Sequence, residues 1–339
     1  MWQVVGHERV VGVLANSLKR EKLAHAYLLV GPPHVGKMTV AVELAKALNC
    51  EGVERPCGQC SQCRRIAQGK HADVQVIGLD GRAEIGIDHI RGMQHAASLR
   101  PFEGRHRVFI IDGAEHLSHE AANCLLKTLE EPPPQVQLVL LAVNEGLLLS
   151  TVLSRCQKLT LRPLPEPVVE GALIERWYVA PERAKILARL SSGCLGWAVA
   201  TVADEQILSQ RSEQLATLIH LASAGVEGRF AYAAQLANQF SRGRESVQGV
   251  LSLWTGWWRD LLLIKGGCGH FVANVDQEAT LYREAGVYSL RGIKEFIRSL
   301  ERAMEQLDQN ANPRLVLEVL MLSMPVRSSR EMDISPSEA

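Results

Sequence analysis

Two groups of residues in this 339-residue chain have the types and spacing to do chemistry, and one short segment separates them. The first is GPPHVGK, with Gly31, Gly36 and Lys37 placed after the apolar run AYLLV and before MTVAVELAKAL. Glycines at such a turn let backbone amides surround phosphate oxygens. The following helix adds its positive N-terminal end, and the lysine adds a full charge. The plainer reading is a tight strand–helix turn with a surface lysine. A magnesium ion needs a Ser or Thr hydroxyl directly after the lysine, and Met38 stands there. A thioether is a poor ligand for a hard cation. Thr39 is rotated by about 100° around the helix axis, so its hydroxyl is expected to point elsewhere. His34 sits where many such loops have another glycine and is expected to narrow the cradle.

Hydrolysis also needs an acid on a neighbouring strand. RVFIIDGAEHLS supplies Asp112, placed to hold the water shell of a metal ion. The next position commonly carries a glutamate that polarises the attacking water, and here it is Gly113. Glu115 lies three residues past Asp112 and is expected to reach the site only after rearrangement of the loop. Loss of a positioned base costs about 10²–10⁴ in rate. Gly31, Gly36, Lys37, Thr39 and Asp112 thus make a degenerate nucleotide site, for which weak ATP binding without efficient hydrolysis is expected.

The second group is CEGVERPCGQCSQC, which presents Cys50, Cys57, Cys60 and Cys63. Two sulfurs from a C-x-x-C pair and two more from nearby complete an all-sulfur tetrahedron. Such a set favours structural Zn²⁺ and leaves no open position for catalysis. An iron–sulfur cluster, a redox pair and unliganded thiols are the rival readings. Cys124, Cys156, Cys194 and Cys268 are scattered and read as packing residues.

The elements that must position these groups follow from periodicity. Val10, Val11, Leu14 and Leu18 mark a first helix over about 7–22. AYLLVG, DVQVIGL, RVFIID, VQLVLLAV and QKLTLRPL read as strands. Between them come a helix over 37–49, one from Asp88 to near Pro101, and one capped by Ser118 and stopped by Pro132-Pro133-Pro134. Near-continuous apolar strands alternating with helices predict an α/β domain with a parallel sheet covered on both faces. The prolines of LRPLPEP mark a boundary, after which the pattern is helical. The predicted domains are 1–165, with the cysteine module at 50–63, a helical lid at 166–207, an all-α domain at 208–327, and a disordered tail at 328–339. In LWTGWWRDLLLIK, Trp254, Trp258 and Leu261 share a helix face, which reads as core rather than as a base-stacking platform. RLVLEVLMLSM is apolar nearly all round and predicts a central buried helix.

Composition limits the function. Lys plus Arg equals Asp plus Glu at 37 each, so no global positive field draws the chain onto nucleic acid. A zinc-dependent DNA-binding module acting alone is therefore disfavoured. The start MWQVVGHERVVGVL lacks the basic-then-apolar order of a signal peptide, and the apolar run VQLVLLAV is far too short to span a membrane. Clustered cysteines without an export signal fit a reducing cytoplasm.

LAHAYLLVGPPHVGK, the cysteine module, NCLLKTLEEPP and TVLSRCQKLTLRPL occur in an order that resembles the clamp-loader branch of the AAA+ ATPases, as found in bacterial DNA polymerase III loader subunits. The resemblance runs along essentially the whole chain. It implies an ATPase-like domain, a helical lid and a helical collar that assembles into a five-subunit ring. It also implies partners: gamma/tau motor subunits, a clamp-opening delta subunit, the sliding clamp, and primer–template DNA through the complex. Met38 and Gly113 resemble the family's stator kind, whose ATP chemistry is damaged, and Gly196-Trp197 occupies the neighbourhood where motors carry a γ-phosphate-reading arginine. Arg155, in Ser154-Arg155-Cys156, matches the arginine finger that such subunits project into a neighbour's ATP site. Its otherwise plainer reading is a surface arginine after a helix. An active motor-type ATPase that uses Thr39 in place of Met38 is the alternative implied by the same resemblance.

Overall fold

The computed structural model describes residues 2–82 and 84–325 of the chain. The tail expected at 328–339 lies outside them. Two compact units are present, Met1–Ala200 and Thr201–Ala339.

The first unit is built on five parallel strands: β1 (Ala26–Val30), β2 (Val74–Ile77), β3 (Arg107–Asp112), β4 (Val136–Ala142) and β5 (Gln157–Thr160). Their order across the sheet is β2-β3-β4-β1-β5. β4 is buried at every position, as a strand with neighbours on both sides and helices on both faces must be. The two edge strands depart from the near-continuous burial expected of them. Gln75 and Val76 of β2 are exposed, as are Gln157, Lys158 and Thr160 of β5. An edge strand has sheet on one side only, so its residues lose part of that cover.

Six helices belong with these strands: α1 (Glu8–Lys19), α2 (Lys37–Asn49), α3 (Ser61–Ala67), α4 (Ile87–Ala97), α5 (His119–Glu130) and α6 (Ser150–Leu153). α1 buries Val10 and Leu14, and α4 buries Ile90, Met93 and Ala97, the inward positions that the periodicity predicts. The Ser118 hydroxyl accepts from the Ala121 amide at 3.1 Å and starts α5. α3 and α6 were not expected. Each is under eight residues, too short to display a periodic apolar face. After β5 the chain forms α7 (Glu166–Trp177), α8 (Pro181–Leu190) and α9 (Leu195–Ala203). Prolines near their first turns suit α7 and α8, where the missing amide hydrogen costs nothing.

The second unit is helical: α10 (Gln206–Ser223), α11 (Val226–Arg242), α12 (Arg244–Lys265), α13 (Glu278–Ala285), α14 (Leu290–Asp308) and α15 (Pro313–Leu322). Trp254, Trp257, Trp258 and Leu261 of α12 lie in one core with Ile293, Phe296 and Leu300 of α14. The Trp258 ring meets Tyr288 and Phe296 edge-on, each with centroids 4.9 Å apart. The tryptophan stripe is core, as its helical spacing predicts. α15 is a correction. It buries Val316, Leu317, Leu320 and Met321, but Leu315, Val319 and Leu322 are 60%, 65% and 58% exposed. A helix apolar all round is buried all round only when neighbours surround it, and in the single chain one stripe of α15 is left open. Among the described residues, no helix is long and apolar enough to cross a membrane.

Candidate functional site

Parallel alignment brings the carboxyl ends of β1, β3 and β4 to one edge of the sheet. Asp112 ends β3 opposite Leu141 of β4, and Val30 ends β1 opposite Ala142. Loops at this edge are where open α/β sheets hold their ligands. Gly31 leaves β1 so close to the neighbouring chain that a Cβ would stand 2.5 Å from the Leu161 carbonyl oxygen, which explains why only glycine fits. The chain then turns through His34 (φ 60°) and Gly36 (φ 111°) into α2.

The loop's own carbonyls are engaged by its own chain. Lys37 is 9% exposed, and its ammonium donates to the Gly31 carbonyl at 2.6 Å and to the Pro32 carbonyl at 2.9 Å. His7 Nε2 lies 2.9 Å from the Val35 carbonyl. The Gly196 amide, at the start of α9, donates to the His34 carbonyl at 2.9 Å. A Cβ at Gly196 would meet that same oxygen at 2.8 Å, so α9 rests against the loop with no room to spare. The segment before α9 is held in turn by the Leu164 amide, which donates to the Gly193 carbonyl at 2.9 Å. The His34 side chain is exposed, and the group that covers the loop is the Gly196 backbone. Burial pushes the Lys37 pKa down, while Glu115, Asp112 and Cys194 oppose that shift.

The metal and water positions differ as the residue types require. Met38 is half-buried and packs against the core formed by β1, β4 and α2. Thr39 is exposed. Asp112 is exposed at the strand end. Gly113, in the left-handed region at φ 74°, opens a 3₁₀ turn over Ala114–His116 that carries Glu115 back toward the sheet. Glu115 Oε1 accepts from the Val143 amide just past β4 at 2.8 Å, while its Oε2 is buried without a hydrogen-bond partner. Glu115 is the strongest of the charges acting on Lys37, ahead of Asp112. The 3₁₀ turn gives Glu115 this place, and nothing in the sequence signals it beyond the glycine before it.

At the other end of α2 the four cysteines converge. The sulfurs of Cys50, Cys57, Cys60 and Cys63 all lie within 4.8 Å of one another. The edge of a tetrahedral ZnS₄ site with bonds near 2.3 Å is about 3.8 Å. Amides of Gly52 and Cys57 donate to Cys50 Sγ, each at 3.3 Å. Those of Gln59 and Cys60 donate to Cys57 Sγ at 3.4 and 3.3 Å. Such donors favour thiolates, and they hold the Cys57 thiol down to about 6, whereas burial pushes Cys63 up to about 12. The donor set fits a tetrahedral, closed metal site.

A polar frame ties this module to the loop before β3. The buried Asp73 carboxylate accepts from the amides of Phe102, Glu103 and Gly104 at 2.7, 2.9 and 2.8 Å, and Arg107 lies 3.2 Å away. Asn49 Oδ1 accepts from the amides of Arg105 and His106, both at 2.8 Å. The Asp73 amide donates to His71 Nδ1 at 3.0 Å, which leaves the proton on Nε2 facing Gln62 Oε1 at 2.5 Å. Asn49 and Asp73 carry no spacing that sequence reasoning detects, because their partners lie 29 to 57 positions along the chain.

Arg155 follows α6 with its side chain partly exposed. Its guanidinium meets Glu130 Oε1 at 2.6 Å and donates to the Thr151 carbonyl at 2.9 Å.

Family models match two stretches of the chain: "DNA polymerase III, delta subunit" at residues 6–165 and "DNA polymerase III, delta subunit, C terminal" at 205–324. The delta' subunit of DNA polymerase III from Bacillus subtilis is 30% identical over 319 residues, covering 93% of this chain and 95% of that protein. This chain belongs to the DNA polymerase III clamp-loader subunit family of delta', tau and gamma. The Escherichia coli tau subunit is 37% identical over 213 residues, which are 61% of this loader subunit and 33% of that protein. A solved gamma-subunit-related protein from Thermotoga maritima is 17% identical, with a TM-score of 0.42 over 91% of this chain and 97% of that one. Within the loader subunit, the loop from Gly31 to Lys37, the Asp112 loop and α9 converge at one sheet edge, and the cysteines gather at the far end of α2.

Proposed function

We propose that this loader subunit is a delta-prime-type stator: it does not turn over ATP itself and lends Arg155 to the ATP site of an adjacent gamma/tau motor subunit. The observation that carries this reading is the condition of the phosphate loop. Lys37 is spent on the loop's own carbonyls, the Gly196 amide takes the His34 carbonyl, and Met38 faces core where a magnesium ligand is required. Lys37 has to leave the Gly31 and Pro32 carbonyls to reach a phosphate, and no residue next to it then seats a metal ion. Weak binding without hydrolysis follows.

In this reading residues 1–165 are a nucleotide-binding-like domain, 166–207 its lid and 208–327 the collar, working in the cytoplasm. The open stripe of Leu315, Val319 and Leu322 on α15 supports collar assembly, because an apolar strip of that kind is covered when helices of neighbouring subunits pack together. The four-cysteine module holds structural Zn²⁺. The partners are gamma/tau and delta in a five-subunit ring, the sliding clamp, and primer–template DNA through the complex.

The test is Arg155→Ala in the assembled loader. An arginine supplied in trans is worth about 10³–10⁵ in rate at the site it serves. Clamp- and DNA-stimulated ATPase is expected to drop sharply while the ring still assembles, and an unchanged rate removes the finger role. A second reading, a motor-type ATPase, is favoured by Lys37 and Asp112 and by the tau relative at 37% identity. Mg-ATP hydrolysis by the purified chain at motor-like rates, abolished by Lys37→Ala, would establish it instead.

A further inference from the structure

Glu130 is the last residue of α5, a helix of 12 residues that starts beside the Asp112 loop and is therefore about 18 Å long. Its carboxylate sits at the negative end of the helix dipole, with Glu131 as the next residue. A glutamate there is unfavourable unless a cation compensates it. Lys127 lies in the same last turn, and the cation paired directly with Glu130 is Arg155. Arg155 Nη2 lies 2.6 Å from Glu130 Oε1, while Nη1 donates to the Thr151 carbonyl at 2.9 Å and to Ser154 Oγ at 3.3 Å. The guanidinium is thus held from two sides, by its own short helix α6 and by the end of α5. α5 is itself fixed: Gln94 of α4 donates to the Cys124 carbonyl at 2.8 Å and to the Thr128 hydroxyl at 3.1 Å, and Ser118 caps its start.

We propose that Glu130 is a positioning residue for Arg155, restraining the guanidinium in the direction from which it serves a neighbouring subunit's nucleotide. This rests on the finger reading of Arg155. A long arginine side chain following a four-residue helix otherwise samples many rotamers, and each one frozen in advance is a cost the transition state does not carry. With side chains 34% and 51% exposed, the pair is solvent-screened, so its contribution is modest.

The experiment compares Glu130→Gln, Arg155→Ala and the double variant in the reconstituted loader with clamp and primed DNA, with Glu130→Ala as a second substitution. Melting of each purified chain and assembly of each complex are followed in parallel and are expected to match the parent. Glu130→Gln is expected to lower turnover about two- to fivefold, the range an exposed ion pair supplies, with the KM for ATP unchanged. The double variant is expected to be no slower than Arg155→Ala alone, because a positioning residue has nothing left to position. If Arg155→Ala is impaired while both Glu130 variants turn over like the parent, or if the two effects add, Glu130 does not act through the finger. A faster Glu130→Gln loader overturns the proposal in the other direction, showing that the carboxylate masks the arginine. If Arg155→Ala itself is unimpaired, the finger reading fails, and the Glu130 role falls with it.

Discussion

The two ends of α2 carry the chain's two candidate sites, and they are built in opposite ways. At Cys50 one contiguous stretch supplies four like ligands, and their sulfurs meet within 4.8 Å. At Lys37 the working parts come from β1, α2, the end of β3 and the start of α9, each on a separate segment. A ligand set drawn from one stretch is complete or incomplete as a whole. A site assembled from four segments depends on every part, and here Met38 directly follows the lysine and Gly113 directly follows Asp112. A backbone motif and a complete ligand set are therefore different properties, and the two ends of one helix let them be compared.

The sharpest test of this contrast removes one sulfur. Cys57→Ser or Cys60→Ser is expected to abolish stoichiometric zinc binding, forfeiting about 10 kcal/mol of metal-coupled folding energy at the module. Hydrogen exchange is expected to show amides of 50–67 losing protection while β1, β3 and β4 keep theirs, because those strands have their own core. A chain that carries no zinc as purified and is indifferent to the substitution breaks the comparison, since the cysteine end would then be as empty as the other.

The same division governed what the sequence made legible. The strands, α1, α2, α4 and α5 follow from periodicity and caps, and the cysteine cluster follows from spacing alone. What escaped notice depends on tertiary approach. His7 reaches the Val35 carbonyl across 28 positions, Asn49 reaches the Arg105 amide across 56, and Glu130 meets Arg155 across 25. None of these pairings has a local pattern to give it away, although Glu130 and Arg155 each lie in a stretch that carries the family resemblance. Glu115 was visible as a candidate acid, but its direction is set by the turn at Gly113. The buried-helix expectation for α15 failed for a related reason: a sequence shows that a face is apolar, and not which molecule covers it.

Asp73 probes whether the cysteine end is also held from outside the cluster. Burial works against its charge, but the amides of Glu103, Phe102 and Gly104, with Arg107, overcome it and leave its pKa below the ordinary value. A carboxylate held down in this way contributes stability that is fully present above its unfolded pKa of about 3.9 and is lost as pH falls through the lower folded value. Asp73→Ala leaves three amides without their acceptor and is expected to cost about 2–4 kcal/mol near neutral pH. In urea unfolding followed from pH 7 to pH 3, the difference from the parent is expected to stay constant above about pH 5 and to shrink below pH 4. A constant difference across that range would show that the side chain acts by packing and not by charge.

The mildest substitution addresses the other end of α2. At Gly196 an added Cβ would lie 2.8 Å from the His34 carbonyl oxygen, a backbone atom that cannot swing aside. Gly196→Ala must therefore lift the start of α9 by a few tenths of an ångström and weaken its 2.9 Å bond to the loop, at an expected cost of about 1 kcal/mol. If α9 closes the loop against nucleotide, as the proposed stator reading holds, the variant is expected to bind ADP slightly more tightly in calorimetric titration, with no gain in ATP hydrolysis. Unchanged affinity would assign the closure of the cradle to Lys37 and its two carbonyl partners. Measurable hydrolysis would have a larger consequence: the approach of α9, and not Met38 and Gly113, would be what limits the site, and the difference between the two ends of α2 would be one of access and not of chemistry.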